Sequence, residues 1–200
     1  MRILGLTGDI ACGKSTVAHL LQERGAAVLD SDLLVRELYA RKDFAVQVQE
    51  LFEAPILNEE CGIDRGKLGQ LVFNNAPGLK QLEALVFPAV GTLREEKIRS
   101  LEALGQNVVI IEAVKLLESG QGHICNEIWC VVCAPEVQLI RMVENRGLTR
   151  EGALARLRSQ PSRAAKTELA GQVPLVWVEN DGTLSELAAQ VERHWKKFLA

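Results

Sequence analysis

Aromatic residues are scarce in this chain of 200 residues: five Phe, three Trp and one Tyr, 4% in all. With so few, and with modest charge, no stretch reads as an interface for a macromolecular partner. Charge of one sign is also lacking. The 23 Lys and Arg are set against 26 Asp and Glu, for a net charge of −3, which argues against a bulk nucleic-acid binder. No apolar run approaches the roughly 18 residues that span a bilayer. The opening MRILGLTGD has neither the h-region nor the cleavage site of a signal peptide, so a cytoplasmic protein without a membrane partner is expected. Cysteines are few and odd in number, five, which suits a reducing compartment. One pair, Cys130 and Cys133, has CxxC spacing. It lies in EIWCVVC, an apolar β-branched run that reads as a buried strand, where positions i and i+3 point to opposite faces. Those thiols are therefore read as core residues. Repeats, low-complexity segments and linkers are absent.

What is present is ordinary globular composition, 48% hydrophobic and 24% charged, in a length that suits one domain and a sizeable core. Short apolar runs at 2–7, 26–29, 107–112, 127–133 and 174–180 read as strands. Helical spacing covers 14–24, 33–53 with a break near Lys42-Asp43, 64–73, 78–104 with Pro88 as an interruption or kink, 135–145, a segment from the Thr149 cap to about 158, and 184–199. On the last of these, Trp195 is expected to pack on the sheet. Alternating strands and helices predict an α/β fold with a parallel sheet covered on both faces.

Residues 8–15, Gly8-Asp9-Ile10-Ala11-Cys12-Gly13-Lys14-Ser15, match the G-x-x-x-x-G-K-[ST] pattern of a P-loop, between a strand and a helix as that motif requires. Gly8 and Gly13 allow backbone conformations and close approaches that a Cβ would block. The loop amides and the helix N-terminus, which Ser15 and Thr16 help to open, favour a phosphate. Lys14 reaches the β- and γ-phosphates and Ser15 offers its hydroxyl to Mg²⁺. Cys12 reads as a small filler residue. The guanine-reading NKxD, the switch DxxG and an LSGGQ-like signature are all missing, which leaves a small-molecule kinase.

Such a kinase needs a carboxylate for the acceptor hydroxyl. Asp30 and Asp32 follow the second strand, at the sheet edge where ligands bind. One of them can equally serve as a helix cap; Asp32 is favoured for chemistry. Residues 141–166 hold six arginines and one lysine against two glutamates, a local excess from which two or three cations could form a lid. Glu112, at the end of the third strand, is either an orienter of a Mg²⁺-bound water or an ordinary strand-end carboxylate.

With these residues in view, the chain resembles the dephospho-coenzyme A kinases over nearly its whole length. LTGDIACGKST matches the family's opening loop, and Val28-Leu29-Asp30-Ser31-Asp32-Leu33-Leu34-Val35-Arg36 its D-x-D segment. Asp64-Arg65 with Leu68 and Val72-Phe73, Gln138-Leu139-Ile140-Arg141, Ala153 with Arg156-Leu157 and Gln160, and Val178-Glu179-Asn180-Asp181-Gly182 follow in the family's order. The resemblance implies a three-layer P-loop fold with a five-stranded parallel sheet. It implies one kinase domain over 1–200, with a helical acceptor-binding insertion at about 62–105 and a lid at about 141–166. It implies transfer of the ATP γ-phosphate, with Mg²⁺, to the ribose 3′-hydroxyl of dephospho-CoA by a monomer or small homo-oligomer. Asp32 maps to the family's base, Arg141 to a lid arginine and Asn180 to the adenine-side loop. The chain departs from the family at Phe87-Pro88, where His-Pro is usual, and at Val114-Lys115-Leu116-Leu117-Glu118, where P-L-L-F-E is usual. It also carries Asn145-Arg146 where Arg-Asp is common.

Overall fold

The computed structural model describes residues 1–73 and 75–200. The chain divides into two compact units, one of Met1–Val28 and Leu101–Ala200, the other of Leu29–Ser100. The strands are β1 (Arg2–Gly8), β2 (Ala27–Asp30), β3 (Val108–Glu112), β4 (Glu127–Val132) and β5 (Leu175–Glu179), in the order β2-β3-β1-β4-β5. β1 runs parallel to β3 and β4, and β4 parallel to β5. The register aligns Leu6 with Glu112, Gly8 with Val131, and Val132 with Glu179. The segments after β1, β3, β4 and β5 therefore leave the sheet at one edge. Residues far apart in sequence meet there.

The first unit carries α1 (Lys14–Gln22) and, after β4, α6 (Pro135–Glu144), α7 (Arg150–Ser159), α8 (Arg163–Ala170) and α9 (Leu184–Leu199). Leu4, Leu6, Ile110, Trp129 and Val131 of the strands share its core with Val17 and Leu21 of α1 and with Leu187, Val191, Trp195 and Phe198 of α9. The last four recur at helical spacing, so one stripe of α9 is apolar. Trp195 packs into this core as its spacing predicts. Thr183 opens α9 with a reciprocal cap: its side chain accepts from the Glu186 N–H, and the Glu186 carboxylate accepts from the Thr183 N–H. Thr183→Ala is expected to lower the melting temperature by about 2–4 °C in a thermal scan.

In the second unit α2 (Ser31–Ala40), α3 (Lys42–Phe52), α4 (Arg65–Phe73) and most of α5 (Ala76–Ala103) surround a separate core. Leu34, Leu38, Phe44 and Val48 share that core with Leu68, Leu82, Val86 and Val90. α2 and α3 thus contribute to the same apolar cluster as α4 and α5. The helix break comes at Arg41, which is extended with φ −74° and ψ 122°. α5 runs through Pro88 without ending. Its buried face of Leu82, Val86, Val90 and Leu93 repeats across the proline, so packing outweighs the missing backbone donor. Two further segments, α8 and a short 3-10 turn at Gln121–Ile124, are additional to the helices read from the sequence. Among the described residues no helix is long and apolar enough to cross a membrane.

Candidate active site

The β1–α1 connection has the shape its sequence predicts. Gly13 has φ +89°, and a Cβ there would collide with the Asn180 amide. At Gly8, with φ +154°, a Cβ would strike the Val131 carbonyl. Ala11 takes a left-handed φ of +61° without a glycine's freedom, a conformation that costs about 1–2 kcal/mol and needs surrounding contacts to hold it.

Those contacts come from α6–α8 and from the end of β5. Gln160 Oε1 accepts from the Ile10 N–H at 2.8 Å. Gln138 Nε2 donates to the Ile10 carbonyl at 2.7 Å and to Gln160 Oε1 at 2.9 Å. Both ends of one residue in the loop are thus pinned by two glutamines. Asp9 forms an ion pair with Lys166, whose side chain is 7% exposed. Asn180 is buried, takes the Val132 carbonyl with its own N–H, and donates from Nδ2 to the Cys12 carbonyl at 2.8 Å. Gln160→Ala removes the acceptor of the Ile10 N–H. The expected effect is a several-fold rise in the Kd of an ATP analogue, since a hydrogen bond of this kind contributes about 1 kcal/mol, read by titration calorimetry.

A cavity of about 580 Å³ opens over the loop. Asp9 through Thr16, Cys12 excepted, line it together with Val114, Arg141, Asn145, Arg146, Asn180, Gly182, Leu184 and Leu187. Lys14 Nζ lies 3.2 Å from Glu112 Oε1, and Ser15 Oγ donates to the same oxygen at 3.3 Å. Arg141 Nη1 is buried and makes no hydrogen bond among the described residues. The α1 N-terminus, the Lys14 ammonium and Arg141, one of whose guanidinium nitrogens is buried without a hydrogen bond, line one hollow and form a place for a polyanion. Among the described residues no three or more His, Cys, Asp or Glu side chains are grouped to hold a metal by themselves. A hydroxyl with one nearby carboxylate is the sparse set that suits Mg²⁺ shared with phosphates and water.

A sequence model of the dephospho-CoA kinases matches residues 2–186. The chain belongs to the dephospho-CoA kinase family. It is 36% identical over 190 residues to a dephospho-CoA kinase of Carboxydothermus hydrogenoformans, an alignment covering 94% of this chain and 90% of the other. TT1252 of Thermus thermophilus superposes with a TM-score of 0.78 at 34% identity, over 99% of this chain and 96% of that one. Dephospho-CoA kinase from Campylobacter jejuni, 21% identical, superposes with a TM-score of 0.65 over 98% and 97% and shares the fold.

Within the family frame, the residues singled out in the sequence fall into three groups. Asp9, Ile10, Ala11, Gly13, Lys14, Ser15, Thr16, Arg141 and Asn180 share the cavity. Gly8 borders a smaller neighbouring cavity and Cys12 is fully buried beneath the loop. Asp32 lies in the second compact unit, exposed in the first turn of α2. There Asp30 takes the capping role, its carboxylate accepting from the Asp32 and Leu33 N–H groups, while the Asp32 side chain faces solvent. Arg36 is exposed on α2 and Phe87 half-buried in α5. Of the altered turn after β3, Val114 lines the cavity and accepts from Thr7 Oγ1, while Leu116 and Leu117 are buried.

Three contributions escaped the sequence reading. Gln138 and Gln160 were visible as motif letters without a task. Lys166 was one cation in a charged run, yet it is the buried partner of Asp9. Ser162, accepting from the Ala165 N–H, caps α8; it was a readable signal for a helix that the sparse apolar content of RAAKTELA concealed, whereas the Thr149 cap of α7 stands where the sequence placed it.

Proposed function

We propose that this chain transfers the γ-phosphoryl group of ATP to the 3′-hydroxyl of dephospho-CoA, the last step of coenzyme A biosynthesis. The observation that carries the reading is the cavity over Gly13-Lys14-Ser15, lined also by Arg141, one of whose guanidinium nitrogens is buried without a hydrogen bond, in a chain of this family. The loop amides and Lys14 hold the triphosphate. Ser15, with Glu112 beside it, would hold Mg²⁺, and the ion, when bound, would supply positive charge against the phosphate oxygens. Asp32 orients the 3′-hydroxyl and takes its proton as that oxygen bonds to the γ-phosphorus. The bond from the γ-phosphorus to the bridging oxygen breaks and ADP leaves with the electron pair. Arg141 offsets the charge on the migrating group. Residues 141–166 act as the lid and exclude water, and the α4–α5 region supplies the acceptor side.

The test is ADP release by the purified protein with Mg-ATP, with and without dephospho-CoA. A large dephospho-CoA-dependent rate is expected. ATP binding without stimulation by dephospho-CoA would reject the proposed acceptor, and a panel of other hydroxyl acceptors would then separate a different kinase from a nucleotide-binding regulator.

A further inference from the structure

The thiol contact in this protein does not lie within CxxC. Cys130 is sealed inside β4, where burial pushes its thiol up to about 12. Cys133, just past the strand, meets Cys12 instead, 121 positions away, with the two Sγ atoms 2.9 Å apart. The sheet register explains the meeting. Gly8 pairs with Val131, so the loop after β1 and the residue after β4 leave the edge side by side. The two sulfurs differ in access. Cys12 is fully buried, whereas Cys133 is half-buried and borders a cavity of about 510 Å³. A disulfide bond of about 2.0 Å is shorter than the present separation, so bond formation draws Cys12 toward β4.

We propose that Cys12 and Cys133 form a dithiol site that exchanges with low-molecular-weight disulfides such as glutathione disulfide, yielding an internal Cys12–Cys133 disulfide that displaces the P-loop and suppresses phosphoryl transfer. The Cys133 thiolate attacks one sulfur of the disulfide. That S–S bond breaks, and the first glutathione thiolate leaves and takes up a proton. Cys12 then attacks the Cys133 sulfur and expels the second glutathione, whose sulfur takes up the Cys12 proton. Two protein thiols are oxidised and one glutathione disulfide is reduced to two thiols. The electrostatics suit Cys133 as the thiol that attacks first. The hydrogen bond from Cys12 holds the Cys133 thiol below its ordinary range, and the charge of Arg141 acts in the same direction against burial. The same bond, with burial, pushes the Cys12 thiol up. Cys12 has little slack to absorb the closure: Asn180 grips its carbonyl, and its neighbours Ala11 and Gly13 both have positive φ. A displacement near 1 Å at a reacting site can cost on the order of 100-fold in rate.

The full chain is incubated with glutathione disulfide, remaining thiols are alkylated, and the protein is digested without reductant for mass spectrometry. A Cys12–Cys133 linked peptide pair, lighter by two hydrogens, is expected. ADP release should fall about tenfold or more and return with dithiothreitol. Cys133→Ser, with Cys133→Ala as the second variant should serine disturb folding, is expected to keep the starting rate and to hold it under oxidant. A mixed glutathione adduct on Cys133 that never resolves, or an unmodified pair, overturns the proposal. So does a linked pair with an unchanged rate, or equal inactivation of the Cys133 variants, which would assign the loss to another thiol such as the exposed Cys61. The rate readout rests on the kinase reading; the peptide map does not, so failure of one is distinguishable from failure of the other.

Discussion

Asp32→Asn should lower turnover by about 10²–10⁴-fold while the Kd of an ATP analogue stays within a factor of about two. The substitution preserves size and removes the acceptor of a proton. Asp30, not Asp32, carries the α2 cap, so the helix start survives the change. Stability is therefore expected to hold, and a thermal scan separates this from a folding defect. The paired measurements are single-turnover ADP formation and nucleotide titration. A near-normal turnover would remove Asp32 from the chemistry, and a parallel loss of nucleotide affinity would make it a binding residue. Asp30→Asn supplies the contrast: asparagine caps a helix about as well as aspartate, and only a small change in rate is expected.

Lys14→Ala should reduce turnover by about 10³-fold or more, and here nucleotide affinity should fall too. Two effects act together. The variant lacks the ammonium that meets the phosphates, and it leaves the Glu112 carboxylate, 10% exposed, without its cation at the same cavity. An uncompensated negative charge beside a polyanion site repels what the site should hold. These contributions can be separated. Lys14→Ala with Glu112→Gln should regain part of the nucleotide affinity lost by Lys14→Ala, without regaining turnover. If the double variant binds no better than the single one, the carboxylate has no part in the loss. If Lys14→Ala turns over normally, the phosphate-cradle argument fails.

The parts of this fold that could be read in advance are those whose signal is local. The apolar run of β3, NVVIIE, is fully buried along Val108–Glu112, and the phosphate loop declares itself within eight consecutive residues. The polar surroundings of that loop could not be read. Lys166 lies 157 positions from Asp9, and Gln138 and Gln160 reach Ile10 across 128 and 150. No periodicity encodes such meetings; they follow from which strand ends share an edge, and that is known only once strand order and register are known. Pro88 shows the opposite failure. A strong local signal for a break was present, and a repeating buried face on either side of it prevailed. Arg141 was legible as a cation in a basic stretch. That one of its nitrogens would be buried without a hydrogen bond was not, because a sequence records charge and not the solvent around it.

The pairing of Asp9 with Lys166 bears on how this protein can change over generations. Both side chains are largely withdrawn from water, 18% and 7% exposed. Losing either alone strands a charge beside the nucleotide loop, at a cost on the order of 3–5 kcal/mol for a well-buried pair. Replacing both with uncharged residues of similar size need cost little. The two positions are therefore expected to drift together or not at all, and a lineage crossing from one solution to the other must pass through a weakened intermediate. A double-mutant cycle of Asp9→Asn and Lys166→Met, read by melting temperature, should show the double variant more stable than the sum of the single losses implies. Additive losses would mean that each position is free to wander by itself.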